Sequence, residues 1–299
     1  MDDHFCSIVS QELAEPIYGQ ALTADVWLLL EYNRPWGSKA TAENELPLDV
    51  QAWLEGVATA VPHSRLQFIR QLPDAHLTFF VAVVDKDAPR LYRFALDRYE
   101  ALFDLDVPAI VAGAAHYAPY LWTEPLFLVC TNGKRDQCCA LFGAAVYREL
   151  QAEVGRAAWQ TTHVGGHRYA PNVLTFPDGT FYSRMQVADV PELVTAVQQQ
   201  QIALPFYRGR TCYQEPEQAA DYFLRRETGQ TQLSFFRHVA TVPTGDDVSV
   251  RFVDAVGGQH EVVVGRETAV FPGLLASCGK PQQKPVTQYT FIRYRSLSM

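Results

Sequence analysis

The strongest constraint on this chain is an order of elements that occurs twice. A short apolar run at Asp25–Glu31 is followed by helical spacing over Leu48–Val61, where Val50, Trp53, Leu54 and Val57 recur on one side. Three β-rich segments come next, Arg65–Arg70, Leu77–Val84 and Arg90–Leu96, punctuated by Pro73-Asp74 and Lys86-Asp87-Ala88-Pro89. Roughly 90 to 100 residues on, the order repeats. Pro125–Cys130 is an apolar strand, and Leu141, Phe142, Ala145, Val146 and Leu150 mark one helix face. Ala157–Thr161 is the next strand, and Val173–Phe176 with Thr180–Gln186 forms a hairpin around Pro177-Asp178-Gly179. Asp189-Val190-Pro191-Glu192 then opens a helix to about Ile202: Asp caps, Pro sits in the first turn and Glu stands three residues after the cap. The pattern predicts an α/β (α+β) fold of two similar units, with chemistry-bearing residues only in the second.

Beyond Gly209 the chain changes character. A helix is expected over Pro216–Thr228, and strands over Leu233–Val242, Val248–Ala255, Glu261–Phe271 and Thr287–Arg295. Lys280–Pro285 reads as a linker, and the whole part as a small β-rich layer or a cover for the central sheet. The expected divisions are 1–110, 111–205 and 206–299.

The charge narrows the range of partners. A net charge of −8 repels phosphate backbones and anionic membrane surfaces, which argues against nucleic-acid binding and membrane docking. A basic protein is the partner such a surface would steer toward. Met1-Asp2-Asp3-His4-Phe5-Cys6 lacks the basic and apolar regions of a secretory signal, and no apolar run reaches the length of a membrane span. A cytoplasmic location is expected, where the six cysteines stay reduced and serve as core, metal ligands or redox thiols.

Two segments stand out chemically. One is Cys130-Thr-Asn-Gly-Lys-Arg-Asp-Gln-Cys138-Cys139, running from a strand end into a helix start; the other is His163-Val-Gly-Gly-His167, just after another strand end. Sites in α/β sheets collect at the carboxyl ends of strands. Asp136 is placed to cap the helix, and its first turn favours thiolates at Cys138 and Cys139. Lys134 and Arg135 add positive charge, while Gly133, Gly165 and Gly166 let backbone pass close to bulky atoms. Two glycines cost about 2 kcal/mol of helix propensity, so His163 and His167 belong to a loop and not to a helical zinc face.

Leu126–Gly143 together with Thr162–Asn172 resembles the sucrase/ferredoxin-like family of thioredoxin-like 2Fe–2S proteins. The resemblance rests on C-x8-C enclosing Gly-x-Arg-Asp, then His-x-Gly-Gly-His followed by Ala170-Pro171-Asn172. Weaker matches are Phe5-Cys6-Ser7, Glu31 through Pro35-Trp36-Gly37, Tyr207-Arg208-Gly209-Arg210-Thr211-Cys212 and Cys278-Gly279-Lys280. The resemblance implies a thioredoxin-like ferredoxin domain, in tandem here with a ligand-free unit, and a 2Fe–2S cluster held by Cys130, Cys139, His163 and His167. The family spacing selects Cys139, with Cys138 one residue away as the alternative. Ala170-Pro171 corresponds to the cis-proline position of thioredoxin-like folds.

The implied function is electron transfer, with proton coupling through an imidazole and a redox protein as partner. Sucrase activity has no support, because the pair of carboxylates a glycosidase needs is not assignable. Mononuclear zinc, a thiol-dependent reductase using Cys139, and a clusterless binding or regulatory protein are the alternatives. Cys6, Cys212 and Cys278 read as buried structural thiols, and Tyr207–Arg210 as a solvated loop.

Overall fold

The computed structural model describes residues 5–71 and 74–297. Met1–His4, from the opening stretch, and Pro73, from the first turn sequence, lie outside the described residues. A short helix, α1 (Cys6–Glu12), precedes β1 (Val26–Glu31). Every residue of β1 is buried, and its side chains divide by parity between two faces. Val26, Leu28 and Leu30 pack with Val50, Leu54 and Val57 of α2 (Leu48–Ala60), while Trp27 and Leu29 enter a second cluster. β2 (Ser64–Arg70) runs parallel to β1. β3 (Leu77–Val83) pairs antiparallel with β1, and β4 (Arg90–Leu96) antiparallel with β3. A short helix, α3 (Val107–Ala112), follows; the Asp106 carboxylate caps it by accepting from Ala109 N at 3.0 Å.

The second half supplies β5 (Leu126–Cys130), α4 (Ala144–Val154), β6 (Ala158–Thr161), β7 (Asn172–Phe176), β8 (Thr180–Ser183) and α5 (Val190–Gln198). β5 is parallel to β6 and antiparallel to β7, which is antiparallel to β8. The order β4-β3-β1-β2 in the first half is thus matched by β8-β7-β5-β6 in the second. Each is the thioredoxin-like arrangement, a parallel pair extended by an antiparallel hairpin. The halves meet through antiparallel pairing of β2 with β6, Ile69 opposite Thr161 and Arg70 opposite Gln160. This seam removes two free edges and makes one nine-stranded sheet, completed by β9 (Tyr207–Arg210) beside β8. The core crosses the seam, with Trp27, Leu29 and Phe80 packed in one cluster with Leu128, Trp159 and Phe176.

The expected solvated loop at Tyr207–Arg210 is instead this buried strand. Its arginines are buried because their flat guanidinium groups stack on rings. Arg208 lies 4.8 Å from the Tyr169 ring and 4.7 Å from that of Phe181, and Arg210 lies 5.2 Å from Tyr213. Tyr207 Oη donates to Asp221 of α6 (Glu215–Thr228) at 2.6 Å.

The C-terminal part comprises β10 (Phe236–Thr244), β11 (Asp247–Asp254), β12 (Gln259–Ala269), a hairpin of β13 (Leu275–Ser277) with β14 (Lys280–Pro281), and β15 (Val286–Leu297). Four of these form a separate antiparallel sheet in the order β10-β11-β12-β15. Val250, Phe252, Val262 and Val264 pack on Ala219, Ala220, Phe223 and Leu224 of α6, so the sheet is a layer added on that helix. The expected linker Lys280–Pro285 begins as β14, whose pairing with β13 carries Cys278 toward the thioredoxin-like part. Among the described residues, no helix is long and apolar enough to cross a membrane.

Candidate metal centre

β5 and β6 end side by side: Cys130 stands opposite Thr161 in register, and Thr131 N donates to Thr161 O at 3.2 Å. The two chemical segments therefore leave the sheet as neighbours, at the carboxyl ends of parallel strands. After Cys130 the chain turns so that Asn132 O accepts from the backbone of both Arg135 and Asp136, while Asn132 Nδ2 donates to Gly37 O at 3.1 Å. Asp136 Oδ1 accepts from Cys138 N at 2.9 Å, the expected cap.

Cys139–Gly143 then makes a π-helical turn before α4. Such a turn shifts the phase of the helix face that follows. Leu141, expected in the core, is 52% exposed, whereas Val146, Tyr147 and Leu150 are buried. Gly143 is required here, since a Cβ would collide with the carbonyl oxygen of Cys130.

Adjacent residues on a helix point about 100° apart, and Cys138 and Cys139 serve different groups. Cys139 meets Cys130 and His163, with ligand atoms all within 4.8 Å of one another and Cys130 Sγ 4.0 Å from His163 Nδ1. His167 stands outside that trio, its ring centre 5.2 Å from that of His163. Its Nε2 lies 2.5 Å from Ala276 O, in β13. A carbonyl can only accept, so Nε2 carries the proton and Nδ1 keeps its lone pair. That Nδ1 is buried with no partner. Cys138 faces the other way, toward Cys6, Asp136 and Cys278.

The loop between the histidines is held from beneath. Arg208 donates to Gly165 O at 3.3 Å and to Asn172 Oδ1 at 3.1 Å, and Asn172 Nδ2 donates to Gly166 O at 2.9 Å. Gly165 and Gly166 have φ of +84° and +64°, and a Cβ on Gly166 would strike the Arg208 guanidinium. The glycines thus make room for this arginine. The Ala170–Pro171 peptide is cis, as is Phe176–Pro177.

The Cys130 thiol is held well below its ordinary range by the hydrogen bond from Cys139 and then by His163, against the effect of burial. The same hydrogen bond, with burial, pushes Cys139 well up. The pair therefore shares one proton, with the thiolate on Cys130. Burial lowers His167, which keeps its imidazole neutral. In the neighbouring group, hydrogen bonds from Cys6 and then Ser7 lower Cys138 to about 6, and desolvation raises Cys278 to about 11. Burial opposes ionisation of Asp136, yet the backbone N–H groups of Cys278 and Cys138 hold its carboxyl below the usual range.

Cys212 is buried in the core, as expected. Cys6 and Cys278, also expected as buried structural thiols, are buried and half-buried respectively and gather at Cys138 beside Asp136. Arg208 and Ala276 were not singled out by sequence reasoning. The weaker matches were the available signal, because Gly37, Arg208, Cys6 and Cys278 all come to the edges of the two groups.

Fold and site together define a thioredoxin-like protein with two thiols and one imidazole gathered at the end of a parallel strand pair and a second imidazole beside them. The family model described as Sucrase/ferredoxin-like matches residues 17–209, well over half of the chain, and the protein belongs to that family. Altered inheritance of mitochondria protein 32 of Meyerozyma guilliermondii is 36% identical over 98 residues, which cover 29% of this chain and 35% of that protein. The chain thus spans about a third of the length of this curated relative. Two crystal structures of serine variants of the thioredoxin-like [2Fe-2S] ferredoxin of Aquifex aeolicus are covered fully by 29% of this chain, at 14% and 16% identity and a TM-score of 0.26.

Proposed function

We propose that Cys130, Cys139, His163 and His167 hold a 2Fe–2S cluster and that the protein is a one-electron carrier. The observation that carries this is His167. An imidazole that donates Nε2–H to a backbone carbonyl and leaves a buried Nδ1 unpartnered is the arrangement of a metal ligand with its outer hydrogen bond in place. The donor chemistry fits as well: Cys130 favours the thiolate, and Cys139 needs only to release the shared proton. Bound there, the cluster supplies one-electron redox chemistry, with a potential raised by imidazole ligation relative to all-thiolate sites.

The chain's own residues do the rest. Arg208 and Asn172 orient the loop, Ala276 O fixes the proton on His167, and Trp159, Leu128 and Leu174 of the core exclude water beneath Cys130. His163 is half-buried and turns Nδ1 toward Cys130. It lies on a groove of about 470 Å³ lined also by Lys39, Arg65, Asn132 and Arg135. Among the described residues no carboxylate lines that groove, opposite in sign to the whole chain. An acidic redox protein docking at the groove fits this better than the basic one suggested by net charge. Six free cysteines support a reducing compartment, the cytoplasm.

A reductase using Cys139 fits less well, because a thiol that attacks a disulfide needs access and thiolate character, and Cys139 is fully buried and pushed up. The test is the visible spectrum of protein purified without oxygen, beside His163→Ala and His167→Ala. Red-brown bands in the wild type that are lost or shifted in both variants are expected. A wild type colourless after reconstitution with iron and sulfide would leave a clusterless protein of the same fold.

A further inference from the structure

We propose that Cys6, Asp136, Cys138 and Cys278 form a second metal site, which takes a single zinc-class dication and clasps the C-terminal hairpin to the thioredoxin-like part. The Sγ–Sγ distances are 3.6 Å for Cys6–Cys138, 3.3 Å for Cys138–Cys278 and 3.7 Å for Cys6–Cys278. Asp136 Oδ1 is 3.1 Å from Cys278 Sγ and 3.6 Å from Cys6 Sγ. Four ligands about 2.3 Å from one tetrahedral ion stand roughly 3.7 Å apart, so these atoms already occupy the corners of such a site. A disulfide needs about 2.0 Å between two sulfurs, and this is a trio around one point. Thiolates on separate irons of a cluster stand farther apart than this, which favours one ion.

The packing alone does not account for the group. Three thiols in mutual contact beside a buried carboxylate set soft and hard electron pairs together, and the thiols themselves meet one another and the carboxylate only through weak S–H contacts, the stronger bonds to Asp136 coming from the backbone N–H groups of Cys138 and Cys278. Three thiolates with one carboxylate select a thiophilic dication over calcium or magnesium. The group also draws together remote parts of the chain, because Cys6 and Cys278 are separated by 272 positions. Cys278 N donates to Asp136 Oδ2 at 3.0 Å, so the backbone of the hairpin is set toward the same carboxylate. Binding would replace the thiol protons with the ion, releasing them to solvent. The same hairpin carries Ala276 O to His167 Nε2, so the clasp holds the outer hydrogen bond of the first site.

The test is zinc and iron content, measured together on the full chain purified under reducing conditions, with X-ray absorption at the zinc edge. About one zinc per chain is expected, in a shell of three sulfurs at ~2.3 Å and one oxygen at ~2.0 Å. Cys6→Ser and Cys278→Ser should lower zinc to under about a tenth with iron retained, and Cys139→Ser should do the reverse. No zinc in the wild type after incubation with Zn²⁺, or iron alone at this site, would overturn the proposal. So would a zinc shell of other composition, or a Cys138–Cys278 disulfide in the freshly reduced protein. The wild-type zinc edge keeps the test decisive where a serine variant does not fold, and zinc without iron in the reconstituted wild type would count against the first site only.

Discussion

Cys138 and Cys139 are neighbours in the chain, yet Cys138 Sγ lies 3.3 Å from Cys278 Sγ while Cys139 joins Cys130 and His163. The divergence follows from the helix. Asp136 fixes the first turn by accepting from Cys138 N, and the rotation to the next residue sends Cys139 toward the end of β5. Cys139→Ser is expected to abolish the visible bands, and Cys138→Ser to retain them at about wild-type intensity per chain. Equal loss in both variants by absorption spectroscopy would show that the two thiols are not divided in this way.

Arg208 is the positioning residue beneath the histidine loop. Its contacts with Gly165 O and Asn172 Oδ1 are planar and directional, which a lysine ammonium does not reproduce. Arg208→Lys is expected to weaken cluster retention by about 10- to 100-fold, read as faster bleaching under an iron chelator. The unfolding midpoint should be followed in parallel, since bleaching that only tracks unfolding would assign Arg208 to stability.

Much of the fold was legible because it is local. Apolar runs of strand length, a turn such as Pro177-Asp178-Gly179 and the Asp136 cap each act within a few residues, and the shared strand order follows from them. Other features depend on distant partners. Tyr207–Arg210 looks solvated because two of its four residues are arginine, and only Tyr169, Phe181 and Tyr213 explain their burial. Cys6 and Cys278 carry no local spacing to Cys138, so only the weaker family matches around them set them apart, and their meeting depends on the folded chain. Leu141 failed as a core residue through the π-helical turn, which no residue pattern in the helix announces.

Proton coupling should reside at His163 and not at His167, whose Nε2–H is committed to Ala276 O. Were a cluster held there, an imidazole ligand with a free ring nitrogen would couple a proton to its reduction. The potential then falls as pH rises, by about 59 mV per pH unit for one proton per electron. Titrated electrochemically, His163→Cys should lose this slope and His167→Cys should keep it. A wild-type potential flat from about pH 6 to 10 removes the coupling and leaves the cluster assignment untouched.

Asp178, in the turn between β7 and β8, gives a pH effect on stability. Burial raises its carboxyl above the usual 3.8, with Arg210 pulling in the opposite direction. The folded state therefore keeps this proton to higher pH than the unfolded chain does. Its contribution to stability declines as pH rises from 3.8 through the raised value. Asp178→Asn is expected to raise the melting temperature at neutral pH, with the gain shrinking as the pH is lowered toward 3.8. A gain that persists or grows at low pH would contradict the assignment.

The most direct measurement is iron and acid-labile sulfide per chain on protein purified without oxygen. About two of each are expected in the wild type, with both lost in a Cys130→Ser, Cys139→Ser double variant. Neither iron nor sulfide after anaerobic reconstitution would contradict the cluster, whatever metal the second site holds.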